Sequence, residues 1–398
     1  MKSQKLRCGY TTGTCAQGAT KAAMQLLFGI RKADGMDEIW VELPKGQKQR
    51  LRIWDIKIEY KDLSSIPYAV SCAVKKDAGD DPDITDGIFV YSKVTRRDED
   101  GRGRVITVDG GEGVGRVTKP GLEQAVGEAA INRIPRQMVI KEAEMVCEEV
   151  GYEGGIDVEI SIPQGEELAK RTFNPRLGVK GGLSILGTSG IVEPMSEQAI
   201  VDTVYLDMKV KLAEQNTEKK YLILSPGNYG LEFLEENYGI EETKVVKCSN
   251  FIGQSIDMAG ELGCTALLFA GHIGKLIKVA GGIMNTHSAQ ADCRMELLAA
   301  AALRAGFSAE KASGLLDCMT VDDALSRCTK EERKSLMEQI MEKIKQYLNL
   351  RSGKEMTVEA IVFSKMYGLL GKTSHADEIA AGKLCFLSAE GKQKRGDE

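Results

Sequence analysis

Two rhythms of apolar and polar residues divide this chain. From Glu38 to Ile162 the dominant rhythm is alternation. Glu38–Leu43 and Leu51–Tyr60 read as paired strands around Pro44-Lys45-Gly46. Leu51 and Ile53 are in phase, and Ile56, Ile58 and Tyr60 are one place out of it, so a bulge is expected near Trp54-Asp55. Tyr68–Val74, Ile88–Val94, Arg104–Val108 and Ile156–Ile162 continue the pattern, with a polar turn over Asp98–Gly103. Helical spacing precedes it: Ala16, Ala19, Ala22, Ala23, Leu26 and Leu27 share a face, with Thr14 as N-cap and Gly29 as stop. Leu122–Asn132 and Arg136–Val150 read as two further helices, Pro135 sitting near the first turn of the second. Residues 1–175 are therefore expected to form an α+β domain on a mainly antiparallel sheet.

The second rhythm is a short apolar run, a small-residue loop, then a helix. Leu183–Leu186, Tyr221–Leu224, Val245–Cys248 and Thr265–Ala270 each show it. In a parallel α/β sheet such loops lie along the carboxyl edge, where ligands bind. The expected binding edge is Gly187–Gly190, Ser225–Tyr229, Ser249–Gly253 and Gly271–Gly274, although glycines that merely make short turns would give the same pattern. Residues 176–305 thus read as an α/β domain. Residues 306–398 read as mainly helical: Ala309–Leu316, Val321–Ser326, Lys330–Leu348 and Val358–Leu369, after a Cys293–Ala305 helix capped by Asp292. The tail GKQKRGDE is expected to fray.

Composition narrows the function classes. The 398 residues carry 53 Lys plus Arg against 58 Asp plus Glu, a formal charge of −5, which offers nucleic acid no general basic field. No apolar run approaches the ~20 residues of a membrane helix, and MKSQKLRCGY lacks a signal-peptide core. The ten cysteines include no Cys-x-x-Cys pair, as suits reduced thiols in the cytoplasm. His272, His287 and His375 are the only histidines, and no metal-ligand cluster is visible.

Candidate chemistry concentrates in a few strings. Thr11, Thr12, Gly13 and Thr14 precede or open a helix whose start suits a carboxylate or phosphate; a well-capped helix with nothing bound is the other reading. Asp77–Gly87, with five aspartates, lacks the spacing of a calcium loop and reads as a solvated acidic turn beside Lys75 and Lys76, a loop that orders a lid or orients basic residues being the other reading. Gly110–Gly121 is no dinucleotide fingerprint, because Arg116 stands where the third glycine belongs; Gly371-Lys372-Thr373 lacks the leading glycine of a P-loop. No nucleophile elbow or Ser-His-Asp order stands out. Chemistry that needs mainly positioning is favoured, such as methyl transfer from an already activated sulfonium.

RCGYTTGTCAQGATKAA, DAGDDPDITDG, GEGVGRVTKPGL, NPRLGVKGGLSILGTSGIVEPMS and FAGHIGKLIKVAGGIMNTHS together resemble the CbiD family, from about Arg7 to past Ala305. The resemblance implies S-adenosylmethionine-dependent methylation of C1 of cobalt-precorrin-5B in anaerobic cobalamin biosynthesis, giving cobalt-precorrin-6A. Cobalt would enter only within the substrate. It also implies a ribosomal-S5-domain-2-like α+β portion beside a Rossmann-like α/β portion. On that reading Gly187, Thr188, Ser189 and Gly190, with Pro226, Gly227, Asn228 and Tyr229, are expected to hold the donor. Thr11, Thr12, Gly13, Thr14, Arg116, Lys119, Lys180 and Lys275 are expected to meet the ring's carboxylates. His272, in a glycine loop at a strand end, is the candidate proton handler, a structural hydrogen bond being the other reading. A phosphoryl-transfer enzyme and a non-catalytic carrier of corrin intermediates are the rivals.

Overall fold

A computed structural model describes residues 6–61, 66–97, 103–353 and 356–388. The chain divides into two compact units, Met1–Glu197 and Gln198–Glu398. The Asp98–Gly103 turn falls largely outside the described residues, and the GKQKRGDE tail wholly so.

In the first unit, helix α1 (Thr12–Leu27) precedes strands β1 (Glu38–Glu42), β2 (Lys48–Tyr60), β3 (Pro67–Lys75), β4 (Phe89–Arg96) and β5 (Ile106–Gly110). Helix α2 (Arg133–Val150) and strand β6 (Ile156–Ser161) follow. The sheet order is β1-β2-β3-β4-β6-β5, antiparallel throughout except for the parallel β5–β6 pair. The expected bulge is present: register shifts between Trp54 and Lys57, and Asp55 sits at φ +47°. The alanine stripe of α1 lets that helix lie close on β3 and β4, beside α2. Met24, Leu27, Val70, Val90, Ile156 and Ile160 fill the space between, each large apolar side chain contributing ~1.5–3 kcal/mol.

Two sequence expectations change here. Leu122–Asn132 is not helical. Gly127 lies at φ +95°, and Ala130 and Ile131 run extended, the Ala130 N–H donating to the Gly115 carbonyl and Ile131 bridging to Ile185. A left-handed glycine inside a short alanine-rich run turned the backbone before a helix could propagate. The boundary at residue 175 also moves. Residues 176–197 belong to the first unit, because Leu183, Ile185 and Leu186 exchange backbone hydrogen bonds with Gly115, Ala130 and Gly13.

The second unit opens with α3 (Glu197–Ala213), whose first residue ends the first unit, then β7 (Tyr221–Ser225), α4 (Asn228–Tyr238), β8 (Val245–Lys247), α5 (Ile252–Glu261) and β9 (Ala266–His272). After the one-turn α6 (Ile273–Leu276) come α7 (Arg294–Arg304), α8 (Ala309–Leu316), α9 (Val321–Ser326) and α10 (Lys330–Ser352). Strands β10 (Thr357–Ser364) and β11 (Gly368–Lys372) complete the sheet. Its order is β8-β7-β9-β10-β11, parallel except for β11. Alternate residues feed two cores. Leu222, Leu224, Leu267, Phe269 and Val358 face one, and Ile223, Leu268, Ala270, Ile361 and Phe363 face the other.

The expected helix over Val358–Leu369 is therefore a strand and hairpin. VEAIVF is apolar but for Glu359, buried against Lys345, because both faces of the strand are covered, a pattern that spacing alone does not separate from a buried helix. Asp292 does not cap α7: Cys293 is the N-cap residue, and Asp292 pairs with Arg294 instead.

Candidate active site

The connection from β7 runs to β8 on one side and that from β9 to β10 on the other, so a crevice opens between β7 and β9 at their carboxyl ends. A cavity of about 340 Å³ lies there. One wall is Ser225, Pro226, Gly227, Tyr229 and Gly230; the other is Gly271, His272, Gly274 and Lys275. Arg294 and Thr320–Asp322 complete it.

Each wall is held internally. The buried Ser225 hydroxyl donates to the Gly227 carbonyl at 2.7 Å, tightening the turn into α4. Gly230 faces Ser225 so closely that a Cβ would stand 2.1 Å from its Oγ. The Lys275 ammonium donates to the Pro226 carbonyl at 2.6 Å and ties the two walls together. Burial lowers its pKa from the ordinary lysine value.

His272 caps α6: its Nδ1 accepts the Gly274 N–H at 3.1 Å. The ring proton of the neutral form is thus on Nε2, which faces Asp322 Oδ2 at 3.5 Å. Asp322 is anchored in turn by the Ser364 hydroxyl, which donates to Oδ1 at 2.6 Å. Burial lowers the His272 pKa, Asp322 opposes that shift and Lys365 adds to it. A neutral imidazole held this way has no lone pair to spare, so it donates and orients; abstracting a proton would require breaking the Gly274 contact. Tyr229 is half exposed, with the Lys365 ammonium 3.4 Å from its ring centroid, so one ring face is already covered.

The remaining expected site residues lie elsewhere. Asn228 begins α4 and does not line the cavity. Ser249–Gly253 is tied to another loop: Gly253 N–H donates to the Met284 carbonyl and Thr286 N–H to that of Asn250. Gly187–Gly190 follows no strand of the parallel sheet. It belongs to the first unit and wraps the start of α1. There Thr11, rather than Thr14, is the N-cap, accepting the Thr14 N–H at 3.2 Å. The Thr14 hydroxyl donates to the Gly190 carbonyl at 2.7 Å, the Thr12 hydroxyl accepts the Leu186 N–H at 3.0 Å, and Gly13 N–H donates to the Leu186 carbonyl. All four residues are buried, their polar groups spent on the chain itself. Ser189 closes a local turn with Ile191, and Thr188 sits between the two glycines of that loop.

The acidic loop is likewise structural. Arg7 forms a bidentate pair with Asp77, whose pKa that pair lowers. Lys76, buried, meets Asp83 at 2.7 Å; burial opposes ionisation of Asp83, but hydrogen bonds from Lys76 and Thr85 prevail and its pKa is lowered. Asp86 accepts the Ala78 N–H, Asp80 the Arg7 N–H and Asp81 the Met195 N–H. The loop is thus laced to residue 7 and to residue 195, which corrects the reading of a solvated turn.

Arg116 and Lys180 are cross-strand partners in a short antiparallel pair, near Lys119. Arg116 holds Asp109 with two hydrogen bonds and the Gly110 carbonyl with a third, and the Asp109 bond raises its pKa. Lys180 is exposed.

The sequence pattern of the family described as CbiD matches residues 1–194, and that of "CbiD, C-terminal domain" matches 285–374. The chain belongs to the CbiD family. Among its relatives, the cobalt-precorrin-5B C(1)-methyltransferase of Ruminiclostridium cellulolyticum is 46% identical over 365 residues, 91% of this chain and 90% of the relative. The enzyme of the same name from Alkaliphilus metalliredigens is 41% identical over 388 residues, 98% and 97% of the two chains. A crystal structure of the cobalamin biosynthesis protein cbiD from Archaeoglobus fulgidus is 24% identical, covers 69% of this chain and 80% of its own, and has a TM-score of 0.36. The CbiD strings of the first unit meet in space: Gly9-Tyr10 pairs with Ile191-Val192, Tyr10 N–H donates to the Asp77 carbonyl, and Thr14 holds Gly190.

Sequence reasoning missed Asp322, Thr320, Arg294 and Ser364. The Thr320-Val321-Asp322-Asp323 run signalled a helix start, and Thr320 does accept the Asp323 N–H. Nothing in that run connects it with His272, fifty residues earlier; only the sheet topology does.

Proposed function

We propose that this protein transfers the methyl group of S-adenosylmethionine to C1 of cobalt-precorrin-5B, forming cobalt-precorrin-6A in cobalamin biosynthesis, with the donor held in the β7–β9 cavity. The observation that carries the placement is the cavity at the switch point of a parallel sheet, walled by two glycine-bearing strand–helix junctions that let backbone approach a nucleoside. Pro226, Gly227 and Tyr229 then face the donor, with the uncovered face of Tyr229 available for stacking on the adenine. His272 and Asp322 orient groups at the cavity wall. Gly187–Gly190 and Thr11–Thr14 support the first unit from inside. Arg116, Lys119 and Lys180 suit the carboxylates fringing the ring.

The acceptor carbon supplies the electron pair, the carbon–sulfur bond breaks, and the sulfur leaves as a neutral thioether. Cobalt enters only as part of the substrate. We read the first unit as ribosomal-S5-domain-2-like and the second as Rossmann-like, and the setting as the cytoplasm. Among the described residues no helix is long and apolar enough to cross a membrane.

Anaerobic incubation with methyl-labelled donor and cobalt-precorrin-5B is the test: label is expected on C1 of the product. Binding of both compounds without label transfer would favour a carrier. Stabilisation by ATP and not by S-adenosylmethionine would favour phosphoryl transfer.

A further inference from the structure

The charges around the β7–β9 cavity do not balance locally. Arg294 is matched by Asp292 through two hydrogen bonds, at 2.7 and 2.8 Å. Lys278, buried close by in sequence, donates to the carbonyls of Thr286 and Ala291. Asp322 is engaged by Ser364 and His272. Lys275 has the Pro226 carbonyl, and no carboxylate pairs with it among the described residues. The buried Cys248 thiol supplies no anion, because burial pushes its pKa up to about 12. A half-buried ammonium normally recovers its lost hydration from an opposite charge. One of its three N–H donors goes to Pro226, so two remain for a ligand.

We infer that Lys275 is the carboxylate hook of the cavity and takes the α-carboxylate of the methyl donor's amino-acid end. This rests on the donor-binding reading above. The same charge could serve a carboxylate of the ring substrate. The cavity volume of about 340 Å³ favours the donor, being at the small end of the range for small-molecule sites and too small to enclose a tetrapyrrole. Gly227 supports the assignment. A Cβ there would have Lys275 Nζ as its sole close neighbour, at 3.9 Å, so the space beside the ammonium is open on that side.

The test is calorimetry on the full chain with four nucleosides: S-adenosylmethionine, S-adenosylhomocysteine, decarboxylated S-adenosylmethionine and methylthioadenosine. Lys275→Met should weaken the first two roughly ten- to hundredfold and the last two less than about twofold. Lys275→Gln, which can still donate to Pro226, should show the same split, and Lys275→Arg should recover most of the affinity. Equal loss across all four nucleosides, or no loss, would overturn the hook. So would weakened binding of cobalt-precorrin-5B with donor affinity intact. If the wild-type chain bound none of the four, the donor-binding reading itself would fall, and the hook with it.

Discussion

Two helix starts in this molecule look alike in sequence and do opposite things. At α1, a glycine loop and three threonines surround the first turn, and their principal polar groups are consumed: Thr11 caps, Thr12 and Gly13 hold Leu186, and Thr14 holds Gly190. At α4, the glycine loop after β7 stands open beside a cavity, with an ammonium and a carboxylate on its walls. A small-residue corner is a licence for close approach, and what approaches decides its role. In the first unit it is the protein's own chain; in the second it is free space.

The largest expected effect is a contrast of two glycines. Gly187 lies at φ +134°, and an added Cβ would meet Thr11 Oγ1 at 2.3 Å and Thr11 Cβ at 2.5 Å. Gly187→Ala should cost the first unit roughly 2–4 kcal/mol of stability, read from the denaturant midpoint. Gly227 has an extended backbone, φ −178°, with nothing closer than Lys275 Nζ. Gly227→Ala should leave stability within about 0.5 kcal/mol and act on donor affinity. Similar losses of stability in both would erase the distinction between a closed corner and an open one.

Next in size is Thr14→Val. The isosteric change removes the hydroxyl that serves the Gly190 carbonyl; that carbonyl keeps the Thr11 N–H, so the loss is one buried hydrogen bond, about 0.5–1.5 kcal/mol. Thermal unfolding should show the loss, while donor binding to the folded protein should be unchanged. A variant that kept its stability but lost donor affinity would mean that the α1 start reaches the ligand after all.

The contrast also bears on what could be read from sequence. The main strands of the first unit and its two long helices were legible, down to the bulge at Trp54, because one covered face gives clean periodicity; Leu122–Asn132, expected as a helix, was not. The parallel strands β7, β8 and β9 were legible because each is short, apolar and followed by a loop. β10 was not: being buried on both sides, Val358–Phe363 lacks a polar face to set its period. The site was half legible. Pro226, Gly227, Tyr229, His272 and Lys275 lie where a strand gives way to a helix, a junction that small residues declare, whereas Asp322 and Ser364 arrive through folding. Gly187–Gly190 misled because sequence shows hydroxyls and glycines without showing which are already bonded.

A third test separates the units by pH. His272 has a folded pKa below its ordinary value of about 6.5 because burial disfavours the imidazolium. The unfolded chain therefore takes up this proton first as pH falls. The stability involved is present above about 6.5 and is lost as pH drops through the lowered folded value. Asp77 and Asp83 in the acidic loop are also lowered, so their contribution is present above about pH 4 and is lost below it. Unfolding probes in the second unit should weaken at the milder pH, and His272→Asn should flatten that slope while leaving the acid limb intact. A single shared transition unaffected by the substitution would break the assignment.

The smallest effect concerns Arg116 and Lys180, which face each other across one strand pair yet differ in commitment. Arg116 already spends three of its five N–H donors on Asp109 and Gly110, whereas Lys180 is exposed. The exposed Arg116–Asp109 ion pair contributes about 0–1 kcal/mol and Lys180 forms no ion pair among the described residues, so neither Arg116→Gln nor Lys180→Gln should alter stability much. If this strand pair meets the ring's carboxylates, Lys180→Gln should raise the KM for cobalt-precorrin-5B a few-fold. The rise should exceed that of Arg116→Gln and fade at high salt as the charges are screened. Asp109→Asn sharpens the point, since it releases the guanidinium: a lower KM in that variant would show that Arg116 can serve the substrate once its internal partner is gone. Equal KM values in all three variants would leave the pair as surface structure, a second case of polar groups spent on the chain.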